Sequence, residues 1–346
     1  MATIAQLEPD SLEMKKRIER FQSTRDNILA QVRQVIVGQE EVLDQILTSL
    51  FVGGHCLITG LPGTAKTLMV RTIAQTLGLE FKRIQFTPDL MPSDITGTDI
   101  IEEDVSTGHR RWTFVPGPIF TNVLLADEIN RTPPKTQAAL LEAMGEGQVS
   151  MDGVTRPLPQ PFVVLATDNP IEYEGTYELP EAQLDRFLIR LRLGYLRKSD
   201  EIAMLARRLD RKTDGVELRQ VVDAAELLAM RESMEQVEVS ADLLDYVVSI
   251  VGATREHPQI QVGASPRGGL ALVQLARGQA LLRQRDYVIP DDVKSIAVAA
   301  LAHRITLRPE LWVRQVSPDD VVARLLTGVP VPRTDPTAAG PTAAAR

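Results

Sequence analysis

The sequence is poor in cysteine and aromatic residues: Cys56 is its one cysteine, and Phe, Trp and Tyr make up 4% of 346 residues. A single cysteine excludes an internal disulfide and a cysteine-rich zinc site, and it fits a reducing compartment. Because aromatic residues are scarce, Leu, Ile, Val and Ala must fill the core. Apolar residues reach 44% of the chain, which is enough for a soluble protein with a sizeable core.

Long apolar runs are also missing from the sequence. A membrane span needs about 18 consecutive apolar residues, and stretches such as Ile296–Ala302 are far shorter. The first residues of the chain have neither the basic start nor the apolar run of a signal peptide. We therefore expect a cytoplasmic protein with no membrane span. A net charge of −8 further argues against nucleic acid as the main partner.

Composition and periodicity divide the chain into four expected parts. Residues 1–30 form an N-terminal segment whose apolar spacing is loosely helical, with a helix start at Asp10. Residues 31–196 alternate short apolar runs with helical segments, which is typical of a parallel sheet flanked by helices. Helical periodicity dominates residues 197–329. Residues 330–346 are mostly Pro, Thr, Ala and Gly with little to bury, so we expect a disordered tail.

Two stretches interrupt the alternation of strands and helices. Residues 87–120 are rich in Pro, Gly, Asp and Thr and are too long for an ordinary loop. Residues 147–161 indicate a hairpin, with strands at Gln148–Met151 and Thr155–Leu158 on either side of an Asp152-Gly153 turn. The sequence therefore predicts two insertions in the α/β part of the chain.

A glycine-containing loop, Gly60–Thr67, follows the predicted strand 55–59 and precedes the predicted helix 68–77. This order directs backbone N–H groups toward phosphates at a helix N-terminus. Lys66 would reach the β- and γ-phosphates of ATP, and the Thr67 hydroxyl would bind Mg²⁺. A glycine-rich turn without a ligand is the alternative, and the strand, the loop and the Lys-Thr pair together argue against it. The expected nucleotide-binding residues here are Gly60, Leu61, Pro62, Gly63, Thr64, Ala65, Lys66, Thr67 and Leu68.

Ala65 occupies the position before the lysine, where the general phosphate-loop pattern has glycine. Alanine keeps the N–H donor, and its methyl group is acceptable provided that its φ angle is negative. We therefore expect a negative φ at Ala65.

An acidic pair, Asp127-Glu128, ends the apolar run Val123–Ala126. In a parallel sheet ligands gather at the carboxyl ends of the strands, so both carboxylates would face the nucleotide. Asp127 would hold Mg²⁺ through water, and Glu128 would act as the general base that activates the attacking water. The alternative is a solvated acidic turn that binds no ligand, and the predicted phosphate loop argues against it.

Polar residues also end the next apolar run, Phe162–Ala166. Asn169 could hydrogen-bond the attacking water or the γ-phosphate. The alternative is a turn formed by the Asn169-Pro170 pair. We prefer Asn169 to Asp168 as the functional residue, because a third carboxylate would repel the phosphates.

Two arginines are candidate phosphate ligands. Arg186 could stabilise charge on the γ-phosphoryl group of a neighbouring subunit, since its place in the chain does not suggest that it reaches its own loop. A surface ion pair of Arg186 with Glu181 or Asp185 is the alternative. Arg267 follows a predicted N-cap, Ser265, and a cation there opposes the helix dipole unless an anion binds. It could reach the nucleotide from the helical domain; otherwise it is solvated.

The chain resembles the MoxR family of AAA+ ATPases over roughly residues 30–310. The motifs that carry the resemblance are Gly60–Thr67, Phe114–Phe120, Leu125–Arg131, Leu140–Met144, Glu174–Tyr177, Leu179–Phe187 and Gly263–Arg267. An Ala before the lysine is usual in that family. Asp168 stands where the family usually has Gln, and Gly268 where Ala is common.

The resemblance implies an α/β fold: an AAA+ P-loop NTPase core with an insert in its second helix (87–120) and a hairpin before sensor 1 (147–161). An all-helical lid domain would follow. The implied roles are Walker A for Gly60–Thr67, Walker B for Asp127 and Glu128, sensor 1 for Asn169, arginine finger for Arg186, sensor 2 for Arg267, and adenine contacts for Val37, Gly38 and Gln39.

The resemblance further implies an ATP- and Mg²⁺-dependent chaperone that forms a homo-oligomeric, hexameric ring. Such proteins remodel, mature or activate other complexes, often with partners that contain von Willebrand factor A domains. A DNA-remodelling motor is the second hypothesis, although the 147–161 hairpin offers only Arg156 for phosphate contact. A GTPase switch lacks its Asn-Lys-x-Asp motif, since Arg197–Asp200 has no Asn. A non-catalytic scaffold is disfavoured by Lys66 and Glu128.

Overall fold

The computed structural model describes residues 7–61, 63–103, 110–151, 153–169, 176–213, 215–311 and 314–332. The elements up to the end of the central sheet are α1 (Leu7–Val32), α2 (Glu40–Val52), β1 (Cys56–Gly60), α3 (Lys66–Thr76), β2 (Phe81–Gln85), α4 (Pro92–Thr96), β3 (Gly97–Glu103), β4 (Arg110–Pro116), β5 (Val123–Asp127), α5 (Pro134–Glu146), β6 (Gln148–Met151), β7 (Val154–Pro157), β8 (Val163–Asp168), α6 (Glu181–Leu184) and β9 (Ile189–Leu193).

The central sheet has five parallel strands in the order β2-β5-β8-β1-β9. All five residues of β5 are buried, as expected for a strand covered by helices on both faces. The predicted parallel sheet flanked by helices is therefore confirmed. The predicted elements differ from the observed ones at their ends: β1 is 56–60 rather than 55–59, and α3, the helix after the phosphate loop, is 66–76 rather than 68–77. The sequence pattern does not predict β2 and β9 individually.

Strand register places the functional candidates at two opposite sides of this sheet. We call the side formed by the carboxyl ends of the strands the carboxyl edge, and the side formed by their amino ends the amino edge. Thr59 pairs with Asp168 and Gln85 pairs with Asp127, so these residues lie at the carboxyl edge. Cys56 pairs with Ile189 at the amino edge. A five-residue strand separates the two edges by roughly 15 Å.

Two antiparallel hairpins project from the α/β part of the chain. The insert at 87–120 contains α4 and the β3–β4 hairpin, in which Ile101 pairs with Trp112. The hairpin predicted at 147–161 is β6–β7, whose second strand begins at Val154, one residue earlier than expected. Gly153 has φ +77° in the turn, while Asp152 lies outside the described residues.

The C-terminal part contains α7 (Lys198–Arg211), α8 (Ala224–Met234), α9 (Ala241–Glu256), β10 (Ile260–Val262), α10 (Pro266–Leu282), α11 (Pro290–Leu301), β11 (Thr306–Leu307) and α12 (Pro318–Gly328). The predicted helical lid is confirmed, with one addition: β10 and β11 form a small antiparallel sheet beside its helices. Strands of two and three residues are too short to produce a period of two in the sequence.

The N-terminal helix α1 packs on its own chain, against α3 and α10. Its side chains Ile28 and Val32 belong to the main core, and the Phe21 ring lies 4.8 Å from that of Phe51 in α2. Arg20 also pairs with Glu226 of α8. The helix thus connects the sheet domain to the C-terminal helices.

The predicted disordered tail lies outside the described residues from position 333 onward. Within the part of the chain that is described, no helix is both long enough and apolar enough to cross a membrane.

Candidate functional site

The phosphate loop curls around the side chain of Lys66, the first residue of α3. Its ammonium group donates to the carbonyl oxygen of Gly60 at 2.5 Å, across the mouth of the loop. Thr64 closes the turn by donating to the Leu61 carbonyl at 2.8 Å. Burial lowers the pKa of Lys66, while Asp127 and its neighbouring carboxylates raise it. Pro62, another predicted ligand, lies outside the described residues.

Ala65 has φ +62° and ψ +23°, so the expectation of a negative φ is wrong. The residue must turn the loop and begin α3 at once: its carbonyl already accepts the first helical bond, from the Met69 N–H at 2.9 Å. A left-handed conformation turns the chain in a single residue, and it costs an alanine about 1 kcal/mol. The same requirement explains the glycine of the general pattern.

The predicted metal ligands Thr67 and Asp127 meet at the carboxyl edge of the sheet. The Thr67 hydroxyl lies 3.5 Å from Oδ2 of Asp127, which is nearly buried at the end of β5. Oδ1 of the same carboxylate accepts a 2.6 Å hydrogen bond from Thr167 of β8. A hydroxyl and a carboxylate oxygen facing each other are the donors that Mg²⁺ prefers, so these residues fit a magnesium ion.

Sequence reasoning missed Arg83 of β2, which contacts Asp127. Its Nε and Nη2 atoms donate to Oδ2 of Asp127 at 3.0 and 2.7 Å. Nη2 also donates to the side chain of Gln85 at 2.6 Å. This contact depends on β2 lying beside β5, an order of strands that no local pattern in the sequence reveals.

Glu128 follows β5 in a left-handed conformation, with φ +57°. Its Oε2 atom accepts hydrogen bonds from Gln85 Nε2 at 2.6 Å and Arg131 Nε at 3.1 Å. Its backbone N–H donates to the Thr167 hydroxyl, which also holds Asp127. Strained backbone of this kind is typical of functional sites, and here it accompanies the contacts of the Glu128 carboxylate with Gln85 and Arg131.

Asn169 is buried directly after β8, the strand that lies between β5 and β1. The structure thus places it at the same edge as Lys66 and Glu128. Burial raises the pKa of the adjacent Asp168, although Thr59, Arg190 and Lys66 oppose that rise.

A cavity of about 500 Å³ opens beside the phosphate loop. It is lined by the predicted residues Val37, Gln39, Gly63, Thr64, Ala65 and Leu68, together with Tyr195, Met204 and Leu205. Gln39 is held there by a 3.0 Å hydrogen bond from its side chain to the Gly194 carbonyl. Gly38 instead lines the adjoining cavity with Val37 and Gln39, where a Cβ atom would lie 2.9 Å from Asp200. The size and position of the cavity beside the phosphate loop suit the base and sugar of a nucleotide.

The two predicted arginines lie together, at the opposite edge of the sheet. Arg186 and Arg267 line a cavity of about 420 Å³ with His55 and Gly145. Arg186 is exposed and donates to the Leu141 carbonyl near the end of α5.

Arg267 lies at this amino edge, away from its own phosphate loop. Arg267 Nη1 lies 4.0 Å from Oδ2 of Asp185, just before β9, whose first residue pairs with Cys56 at the amino edge. The lid packs so that α10 begins at this edge, one strand length away from the phosphate loop.

Asp185 joins the sheet domain to the lid beside these arginines. It accepts 2.8 Å and 2.9 Å hydrogen bonds from Arg304 Nε and the Ser265 hydroxyl. Ser265 is the N-cap of α10, as the sequence predicts. Since Asp185 is bonded to lid residues and Glu181 to Thr306, neither is paired with Arg186 as the ion-pair alternative required.

Arg156 of the β6–β7 hairpin is turned inward. Its guanidinium carbon lies 3.8 Å above the Phe114 ring, and Nη2 lies 3.7 Å from Asp99 of the other hairpin. The basic side chain is thus used to join the two hairpins.

Known families match both parts of the chain. The family described as ATPase family associated with various cellular activities (AAA) matches residues 55–189, and the AAA lid domain matches residues 252–325. The crystal structure of a candidate ATPase from Cytophaga hutchinsonii is similar, with a TM-score of 0.86 and 39% identity over 94% of this chain and 100% of that one.

Three curated relatives are similar over most of their length. The chain is 45% identical over 302 residues to the uncharacterized protein YeaC of Bacillus subtilis, covering 87% of this chain and 92% of that protein. It is 42% identical over 324 residues to chaperone MoxR1 of Mycobacterium tuberculosis, covering 90% and 83%. It is 30% identical over 328 residues to protein MoxR of Methylorubrum extorquens, covering 87% and 93%.

Proposed function

The chain belongs to the MoxR family of AAA ATPases and hydrolyses ATP, and from this premise we propose that it is a chaperone that remodels, matures or activates partner protein complexes. The observation that carries the catalytic part of the proposal is the 3.5 Å approach of Thr67 to Asp127, beside Lys66 and Glu128. The name of the relative MoxR1 supports the chaperone part.

Each residue at the carboxyl edge has a proposed task in hydrolysis. Lys66 exchanges the Gly60 carbonyl for the β- and γ-phosphate oxygens of ATP. Thr67 and Asp127 hold Mg²⁺, which when bound neutralises phosphate charge. Glu128 accepts a proton from the attacking water, and Asn169 orients that water.

Arg186 and Arg267 are proposed to act on the nucleotide of a neighbouring copy in a homo-oligomeric, hexameric ring. Support comes from their position, since a strand length separates them from their own phosphate loop. A head-to-tail contact would bring them to the next copy's phosphates.

An exposed apolar stripe on α7 also supports the ring. Ile202, Leu205 and Leu209 lie on one face of this helix and are 58%, 58% and 74% exposed. The helix forms one wall of the nucleotide cavity. A subunit docked at that cavity would cover apolar surface that a lone chain leaves in water.

A DNA-remodelling activity is less well supported by these contacts. Arg156 is occupied by Phe114 and Asp99, and the exposed arginines of the other hairpin are paired, Arg110 with Glu103 and Arg111 with Glu102. We expect no stimulation of ATP turnover by single- or double-stranded DNA at low salt, where phosphate contacts are strongest. Stimulation that Arg156→Glu abolishes would revive the DNA hypothesis.

The Glu128→Gln variant tests the proposal. We expect it to bind ATP normally while turnover falls about 100-fold or more, because the general base is lost and the charge-free amide keeps the shape. The trapped ATP state is then used to capture partners, identified by mass spectrometry, with a von Willebrand factor A domain protein as the expected class. The control is Lys66→Ala/Glu128→Gln, which should bind neither ATP nor partner. Undiminished turnover in Glu128→Gln would contradict the catalytic proposal, and equal capture by both variants would contradict the chaperone proposal.

A further inference from the structure

We infer that Arg83 is a built-in counter-cation that competes with Mg²⁺ for one oxygen of Asp127. The inference rests on the proposed function, in which Asp127 and Thr67 hold the metal of Mg²⁺-ATP. It assigns to a β2 residue outside the recognised motifs a role in setting how much Mg²⁺ the site needs.

The two oxygens of Asp127 have different partners. Oδ1 accepts a 2.6 Å hydrogen bond from Thr167, inside the sheet. Oδ2 is the oxygen that faces the Thr67 hydroxyl, at 3.5 Å. A cation held between Thr67 and Asp127 must therefore use Oδ2, whether directly or through water.

Arg83 already occupies that oxygen. Both its Nε and its Nη2 atoms donate to Oδ2, at 3.0 and 2.7 Å. A carboxylate oxygen offers about two lone pairs, so both are used by one guanidinium group. Arginine stays charged at every accessible pH, so Arg83 offers its positive charge to this oxygen whenever Asp127 is ionised.

The exposures of the two side chains suit an exchange. The Asp127 side chain is 11% exposed and the Arg83 side chain 46%. A carboxylate this deeply placed is costly without a counter-charge, so the contact stabilises the metal-free site. The half-exposed guanidinium group can move into water when a divalent ion takes its place, at little desolvation cost.

The exchange also reaches the proposed general base. Arg83 Nη2 donates to Gln85 Oε1 at 2.6 Å, and Gln85 Nε2 donates to Glu128 Oε2 at 2.6 Å. Departure of Arg83 from Asp127 removes the donor that orients the Gln85 amide. Binding of Mg²⁺ would thereby change the hydrogen bonding of Glu128 through Arg83 and Gln85, two side chains of β2.

The test measures ADP affinity as Mg²⁺ is titrated, using the full chain and isothermal titration calorimetry. For Arg83→Gln, the Mg²⁺ concentration that gives half of the full gain in ADP affinity should fall about three- to tenfold, because the competing cation is gone. Arg83→Lys should lie between that variant and the wild type, since lysine keeps a charge but not the paired donors. When EDTA removes Mg²⁺, the ADP affinity of Arg83→Gln should not exceed that of the wild type.

Lys82→Gln is the matched control, since it removes one positive charge from the same strand. The Lys82 ammonium donates to the Phe120 carbonyl at 3.0 Å, away from Asp127, so its Mg²⁺ midpoint should equal that of the wild type. If both Arg83 variants still bind ADP but their Mg²⁺ midpoint is unchanged or higher, this inference is overturned and the proposed function is not. Failure of the wild-type protein to bind ADP at any Mg²⁺ concentration would instead overturn the proposed function.

Discussion

At the scale of single residues, Ala65 and Glu128 are left-handed positions that shape the carboxyl edge of the site. Ala65 ends the phosphate loop with φ +62°, and Glu128 follows β5 with φ +57°. Each turns the chain sharply at the carboxyl edge of the sheet, and each costs about 1–2 kcal/mol. The rest of the fold must supply that energy, so both positions store strain at the nucleotide site.

Replacement of Ala65 by glycine should release part of this strain. We expect the free energy of unfolding to rise by about 0.5–1 kcal/mol, because glycine adopts positive φ without steric cost but has a more flexible unfolded chain. Urea unfolding of the nucleotide-free protein measures the change. Lys212→Gly at the end of α7, where φ is +61°, is the control for a left-handed position outside the phosphate loop. A lower stability for Ala65→Gly would show that the methyl group makes contacts worth more than the strain.

At the scale of elements, His55 ties α5 to the central sheet. The half-buried ring accepts a hydrogen bond from the Val164 N–H at its Nδ1 atom, so its Nε2–H donates to the Met144 carbonyl. Burial lowers the pKa of His55 to about 4. The neutral ring therefore joins β8 to the last turn of α5, which leads directly into the β6–β7 hairpin.

Acid should weaken this junction. The pKa of a histidine is about 6.5 in the unfolded chain and about 4 for His55 in the folded protein. The stability is therefore fully present above pH 6.5 and is lost as the pH falls toward 4. Between pH 7 and 5 the loss should be roughly 2 kcal/mol. His303 is also buried with a lowered pKa and acts in the same direction.

Comparison of variants isolates the contribution of His55. His55→Asn should unfold more easily at pH 7 but show a shallower dependence of unfolding free energy on pH between 7 and 5, since one of the two histidines with a lowered pKa is removed. Guanidinium titrations at several pH values measure the slope. Identical slopes for the variant and the wild type would contradict the assigned role.

At the scale of the whole molecule, one chain holds the two groups of residues that the proposed ring would bring together. Lys66 and Glu128 lie at the carboxyl edge of the sheet, whereas Arg186 and Arg267 lie at its amino edge. Asp185 and the buried Arg304 hold the lid against that second edge, so lid closure in the same chain does not join the halves. In the proposed ring, a neighbouring copy would supply the missing half.

Mixing of inactive variants tests this arrangement. Arg186→Ala should bind ATP normally and lose turnover by about 1000-fold or more, as expected for a residue that stabilises the transferred phosphoryl group. Added Glu128→Gln subunits should restore part of the activity, because they supply Arg186 to partners whose Glu128 is intact. Steady-state ATPase assays across mixing ratios measure the recovery. No recovery at any ratio, in subunits shown to co-assemble, would contradict action across the interface.

Local motifs explain how much of the site could be predicted. Strand, phosphate loop and helix are consecutive, so Lys66 and Thr67 could be placed from their spacing alone. Asp127 could be placed because parallel strands share a carboxyl edge. Arg83 could not, since its contact with Asp127 requires β2 to lie beside β5. The sign of φ at Ala65 was also predicted wrongly, because it depends on how tightly the loop must turn.

Taken by itself, the amino-acid sequence determined the alternation of strands and helices, the phosphate loop and the acidic strand end, because these depend on neighbours within a few residues. The tertiary structure decided the edge at which Arg267 lies, the partner of Arg156 and the cation on Asp127. Each of these depends on the order of strands or on the side against which the lid packs. Such choices are made by the burial of apolar surface across the whole core, which no single segment specifies.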